Sequence, residues 1–450
     1  MTKTLTQHLA EFACGLNVRT IPSAVLEKAR ACMLNSLGVA AACHATPYYP
    51  VARAAVLRSE GTATMGATLL YDGRKVCAGS AAFVNAVLLH GRAQEDTVGG
   101  AHLGVVVLPP LLALIEARGL ALDDLLPALV AGYEVGGAME RAYAAKTTPL
   151  GMRGTAIYGP MAAAAAASRL LGLDATRTAA ALASASAFCG GTFQSFSDGS
   201  DEWRYQAGVA ARLGLLSAEL AEAGAIASPQ ALEGPYGFVR GFAHQATDVA
   251  AVASLLGKEW ATLTVRFKPH PVCAYNQTIV EAALALRPRL GGRTISRVTV
   301  RMNPFELGLP GMLDAGPFHT VTQTLMSVRF CVATALVHGA PSLAALNRFQ
   351  DPAVTALVEK IEVVPDTSVA TLSCVLDVQD SAHLTETESL TLGAEDFSYD
   401  RPHVSELVRR LARETGVPEA ICGQVEGWVD ALPAGRIDGL LSAYAKPPAA

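Results

Sequence analysis

Tyr158-Gly159-Pro160-Met161-Ala162-Ala163-Ala164-Ala165-Ala166-Ala167-Ser168-Arg169-Leu170-Leu171-Gly172 decides the fold class of this 450-residue chain. The run reads as a helix, and its small faces let neighbouring helix backbones approach closely. A second small-residue run, 179–187, repeats the pattern. Upstream, Val25, Leu26, Ala29, Met33, Leu34 and Leu37 recur at three- and four-residue steps between Pro22-Ser23 and Gly38, with start and stop signals in place. Similar spacing predicts helices over 79–90, 108–118, 122–145, 175–190 and 205–224. Residues 1–265 therefore read as a large helical domain, not a sandwich or barrel.

Around Phe267-Lys268-Pro269-His270-Pro271 the composition changes. Prolines punctuate the chain, and period-two alternation predicts strands over 295–302, 361–364 and 370–377. Helices are predicted between them over 322–338 and 342–349, giving a smaller α+β domain over 266–400. Helical spacing returns over 401–450, which is expected to rejoin the first domain, with residues 446–450 fraying. The fold class is mainly α, with one α+β domain.

Hydrophobic residues make up 51% of the chain, mean hydropathy is +0.31 and charged residues are 17%. No apolar run approaches the roughly 18 residues of a membrane span, so the excess apolar surface is expected in a thick core and a homodimer interface. A net charge of −5 without a basic tract speaks against nucleic acid as a partner. The amino-terminal residues lack an apolar core segment and an Arg-rich amphipathic pattern, so a cytoplasmic protein is expected. Nine cysteines, none in a CxxC, read as reduced core residues rather than as zinc ligands or a disulfide framework.

Glu95-Asp96-Thr97 and His102 gather two carboxyls, a hydroxyl and an imidazole within eight positions of an otherwise apolar segment. Desolvation of such groups separates their pKa values and suits proton transfer. Asp and Thr beside Gly99-Gly100 also serve as caps and turn residues. No glycine-rich nucleotide loop follows a strand, and Ser186, Cys189 and Ser195 lack a nucleophile elbow or a nearby base.

With these segments in place, the chain resembles the MmgE/PrpD family over nearly its whole length. The likeness rests on Asn85-Ala86 through His90, Asp96-Thr97 with His102 and Val107-Leu108-Pro109, and Ala131-Gly132-Tyr133-Glu134-Val135. It continues through Gly159-Pro160, Gly172-Leu173, Gly208-Val209-Ala210-Ala211, Leu232-Glu233-Gly234, Phe267 through Cys273, and Ala335-Leu336-Val337-His338-Gly339. The resemblance implies a large helical domain, a smaller α+β lid, a dimer, and a site between them. That site handles di- and tricarboxylic acids without metal or organic cofactor. The implied chemistry is proton removal next to a carboxylate, followed by loss of water, loss of carbon dioxide or reprotonation.

By this resemblance His102 carries the proton, Thr97 contacts substrate, Asp96 orients the base and Lys268 pairs with a carboxylate, while Glu95 receives no role. Four positions depart from the family pattern. Ala93 stands where an Asp is usual, and Arg153, followed by Gly154-Thr155, where a His is usual. Trp203, next to Arg204, takes the place of a Lys, and Phe330 that of a Tyr. Arg153 and Arg204 offer a bidentate clamp for carboxylates, with Thr155 alongside, and Trp203 and Tyr158 line an apolar or planar part of the substrate. Dehydration of the methylcitrate type is the expected reaction. The alternatives are epimerisation, using His102 with Tyr158, His270 or Cys273 as the opposing group, a member diverted to another catabolic or natural-product substrate, and a non-catalytic binding protein.

Overall fold

A computed structural model describes residues 3–391 and 396–446. The chain divides into two compact units: Met1–Thr192, Arg204–Phe267 and Ser398–Ala450 form unit 1, and Phe193–Trp203 and Lys268–Phe397 form unit 2. The segment Phe193–Trp203, read above as part of the helical domain, belongs to unit 2. The expected fraying over 446–450 falls, for 447–450, outside the described residues.

Unit 1 is helical around the alanine run. Gly159–Leu170 packs against Gly104–Arg118, Leu125–Thr147 and Ala175–Phe188, and Ala162 through Ala167 are fully buried. The close approach is visible at Gly214 on Glu202–Glu222, where a Cβ would lie 2.3 Å from Ala163 Cβ and 2.7 Å from the Pro160 carbonyl. Only glycine fits there, and the shared surface is backbone and methyl groups packed at interior density. Arg401–Thr415 and Glu419–Ala431 pack on Ser23–Ala42, so the carboxyl-terminal helices belong to unit 1. A two-stranded hairpin, β1 (Ala67–Thr68) and β2 (Lys75–Val76), is the small β element of this unit.

Unit 2 holds a four-stranded sheet of β3 (Ile295–Met302), β4 (Ile361–Pro365), β5 (Ser373–Asp380) and β6 (Thr385–Thr391), in the order β4-β3-β5-β6. β3 runs parallel to β4 and antiparallel to β5, and β5 and β6 pair antiparallel. Val298, Val300 and Met302 alternate with Leu376 and Val378 to give one buried face, covered by Asn276–Leu290 and Val328–His338. The parallel step from β3 to β4 needs a long crossover, which the intervening helices supply.

Several elements differ from the sequence reading, and three of them lie in unit 2. The helix predicted over 322–338 is two helices, Val321–Met326 and Val328–His338, because Ser327 leaves helical geometry and its side chain caps the second by accepting from Phe330 N–H. The helix Asn276–Leu290 is unanticipated: it carries Pro288 and two arginines in its last turn, which weaken its periodic signal. β6 is also unanticipated, because Thr-Glu-Thr-Glu-Ser-Leu-Thr presents almost no apolar alternation on this edge strand. Among the described residues, no helix is long and apolar enough to cross a membrane.

Candidate active site

The loop after Ala78–Leu89 carries the candidate cluster, and main-chain bonds hold it. Thr97 N–H donates to the Arg266 carbonyl and Arg266 N–H to the Thr97 carbonyl, both at 2.9 Å. Val98 and Ala101 exchange a similar pair of bonds, closing a tight reversal over Gly99 and Gly100, with Gly99 at φ +57°. His102 N–H then donates to Thr155 Oγ1 at 3.0 Å, and the chain enters the helix Gly104–Arg118.

Asp96 sits beneath that helix start. Its carboxylate accepts from the Tyr133 hydroxyl and lies at the start of that helix, where a helix favours negative charge. Burial nevertheless pushes its pKa up to about 6, against that hydrogen bond and with help from the Glu95 charge. The expectation that Asp96 orients the base is corrected here: Glu95, not Asp96, reaches His102, with Oε1 2.9 Å from His102 Nδ1.

The same Glu95 oxygen lies 2.9 Å from His90 Nδ1, and the two imidazole ring centroids are 5.2 Å apart. Arg153 Nη2 lies 2.7 Å from His90 Nε2. Arg153 is itself placed by its N–H, which donates to the Gly191 carbonyl at 3.1 Å, and by Nη1, which donates to Gln206 Oε1 at 3.3 Å. A line of contacts thus runs Arg153, His90, Glu95, His102. The His90 and Glu95 side chains are fully buried, while His102 keeps 15% of its side-chain surface exposed and is the least buried of the three. Burial pushes the His90 pKa down to about 3, against the attraction of Glu95 and with the Arg153 cation adding to the effect. Burial likewise pushes Arg153 down to about 9, which leaves it charged at neutral pH.

The donor atoms of His90, Glu95 and His102 lie within 4.8 Å of one another, a set of types and spacings that a small divalent ion accepts. A guanidinium in contact with His90 opposes a cation at that point, and the three side chains already serve one another as partners.

Glu140 supports the loop from below. It is buried, its Oε1 accepts from Gly100 N–H at 2.8 Å, and burial pushes its pKa up to about 7 despite bonds from the Gly100 and Ala101 amides. A carboxyl raised from 4.5 in this way stabilises the fold when protonated, and that contribution is lost as pH rises through about 7. Glu140→Gln keeps an acceptor for Gly100 and removes the penalised charge. Its unfolding free energy is expected to match the parent near pH 5 and to exceed it by on the order of 1–3 kcal/mol near pH 8, read by urea denaturation. A difference independent of pH would show that the buried charge is not its origin.

The other sequence-singled residues divide between the units. In unit 1, Tyr158 is buried with its hydroxyl 2.7 Å from Thr147 Oγ1 and its ring edge-on to Phe238. Arg204 is buried with its guanidinium 3.7 Å from the Tyr48 ring centroid, a cation–π stack. Ala93 is buried and holds φ +55°.

In unit 2, Trp203 stacks on Phe196 at 5.2 Å, and its indole N–H donates to Thr322 Oγ1 at 3.1 Å. Phe330 is packed edge-on to Phe318 at 5.0 Å. Lys268 is buried, His270 Nε2 lies 2.7 Å from Glu281 Oε1, and burial raises the Cys273 thiol, partly offset by the Lys268 charge. His90 and Glu95 escaped the sequence reading as partners of His102, although His90 Nδ1, Glu95 and His102 fall within one short segment.

An imidazole 2.9 Å from a buried carboxylate suits proton transfer, and the likenesses that follow make the chain an enzyme of the lyase type. The MmgE/PrpD N-terminal domain matches residues 7–249 and the MmgE/PrpD C-terminal domain matches residues 270–387, and the chain belongs to the MmgE/PrpD family. It is similar to the cis-aconitate decarboxylase of Aspergillus terreus, at 28% identity over 87% of this chain and 86% of the relative. It is also similar to a cis-aconitate decarboxylase-like protein of Aspergillus oryzae, at 27% over 80% and 79% of the two chains. The human cis-aconitate decarboxylase is 26% identical over 81% of this chain and 77% of its own.

Proposed function

We propose that the chain is a carboxylic acid lyase that removes carbon dioxide from a small di- or tricarboxylic acid, with His102 moving the proton at carbon. The observation that carries this reading is the setting of His102, the exposed member of a sealed cluster, with Nδ1 on Glu95 and Nε2 on the far side of the ring. An imidazole is a side chain suited to acting as the acid or base of a proton transfer. Arg153 and Arg204 are buried cations of the same unit and add positive potential beside the cluster.

Loss of water needs an acid for the departing hydroxyl, yet Ala93, Trp203 and Phe330 stand where the family pattern has Asp, Lys and Tyr. Carbon dioxide leaves without a proton. The carboxylate carbon departs as carbon dioxide, its bonding pair stays on the substrate carbon, and one proton is consumed there. The names of the relatives favour the same reaction.

Incubation with cis-aconitate, citrate, 2-methylcitrate and iminodisuccinate in deuterated water, followed by NMR and carbon dioxide release, tests the proposal. The expected result is carbon dioxide from cis-aconitate with one deuterium placed on carbon. Loss of water from citrate or methylcitrate without carbon dioxide would replace decarboxylation by dehydration. Deuterium exchange without net loss would replace it by epimerisation.

A further inference from the structure

We infer that Arg153, His90 and Glu95 form a fixed relay of positioning residues that sets the tautomer of His102, holding its proton on Nδ1 and presenting Nε2 for chemistry. The inference rests on the reading of His102 as the proton carrier, and it assigns roles to His90 and Glu95 that follow from the direction of each hydrogen bond.

The argument starts at the guanidinium. Arg153 has only donors, so the nitrogen 2.7 Å from its Nη2, His90 Nε2, accepts. A histidine that accepts at Nε2 is neutral and carries its single proton on Nδ1. Complete burial beside a cation agrees with a neutral ring. His90 Nδ1 then carries the proton, and it lies 2.9 Å from Glu95 Oε1, an ion-pair distance to a carboxylate oxygen. The same oxygen lies 2.9 Å from His102 Nδ1, a separation at which two facing lone pairs would repel, so the His102 proton is placed on that nitrogen. Arg153 fixes the role of His90 Nε2, because arginine does not lose its proton at working pH.

The charges close as well. The Arg153 cation lies one neutral imidazole away from the Glu95 anion, so the sealed part of the line is neutral in sum, which lowers the cost of burying both. Arg204 adds positive potential at Arg153. When His102 takes a proton on Nε2 it becomes a cation against the Glu95 carboxylate, which stabilises that state. A titratable side chain at 153 could reverse its bond to His90 and release the order of the line. Arginine cannot.

The test is a two-bond proton–nitrogen NMR spectrum of protein labelled with ¹⁵N-histidine, with the His90 and His102 signals identified by their loss in His90→Gln and His102→Gln. Both rings are expected in the Nδ1–H form, with Nε2 unprotonated. Glu95→Gln is expected to scramble the His102 tautomer and to lower kcat on cis-aconitate at least about 100-fold, with KM within about threefold. His90→Gln keeps an acceptor toward Arg153 and a donor toward Glu95, and it is expected to recover at least about tenfold of the kcat lost in His90→Ala. Circular dichroism of each variant separates misfolding from loss of order.

An Nε2–H tautomer for His102, or a Glu95→Gln variant with parental spectrum and turnover, would overturn the relay. So would a turnover abolished by chelator and restored by a divalent ion, which would make the trio a metal site. The tautomer spectrum is independent of turnover. Failure of His102 as the proton carrier would appear as full activity in His102→Gln, whichever tautomer the ring adopts.

Discussion

His102→Gln is expected to lower kcat for carbon dioxide release from cis-aconitate by about 10²–10⁴-fold, the range that a positioned acid–base group contributes. Glutamine fills similar space but does not exchange protons at neutral pH. The backbone that positions residue 102 should survive the change, because its N–H bond to Thr155 Oγ1 and the Thr97 to Arg266 bonds use no atom of the imidazole. KM should therefore move little, and the deficit should appear in kcat. Deuterium incorporation at the substrate carbon should fall in parallel with turnover. A variant that keeps more than about a tenth of the parental kcat would remove His102 from the proton-moving role.

The largest expected effect on stability comes from one methyl group. In Gly104→Ala the new Cβ would lie 2.5 Å from Asp96 Oδ1, 2.6 Å from the Tyr133 hydroxyl and 2.8 Å from Ser36 Oγ. None of these is the far end of a mobile side chain: Asp96 is tied to Tyr133, and all three residues are buried. Overpacking costs about 1–3 kcal/mol, and parting the buried Asp96 to Tyr133 bond adds about 1–3 kcal/mol, so a loss of roughly 3 kcal/mol is expected. Urea denaturation should show the lower midpoint. Gly427→Ala is the matched control, since nothing lies within 4 Å of its Cβ position on the helix Glu419–Ala431. It should gain up to about 1 kcal/mol from helix propensity. Equal effects at 104 and 427 would refute steric confinement under the loop.

The helical architecture was legible because its signal is redundant. The alanine run, the spacing from Val25 to Leu37 and the small residues over 179–187 each repeat one face over several turns. The family resemblance was legible for a related reason, since many short matches in order survive individual changes. The partner of His102 was not legible. Residues 91–103 form an irregular loop with tight turns, where no period tells which way a side chain points, so adjacent Glu95 and Asp96 were indistinguishable. The structure separates them, with Asp96 under a helix start and Glu95 between two imidazoles. The edge strand β6 and the helix Asn276–Leu290 were hidden for a different reason, because polar or proline-bearing segments take their structure from their neighbours.

The return of the carboxyl-terminal helices to unit 1 has a consequence for synthesis of the chain. Ser23–Ala42 is almost entirely buried, and part of its cover arrives last: Val408 against Gly38, Tyr444 donating to the Leu37 carbonyl at 2.7 Å, and Ser398 accepting from Lys28 at 2.7 Å. A ribosome releases that cover 370 to 407 residues after the positions it protects. Until then one of the first helices made carries an uncovered apolar face, and the unit closes through contacts of very long sequence separation. A truncation after residue 397 is therefore expected to uncover part of Ser23–Ala42 and to lower the yield of folded protein.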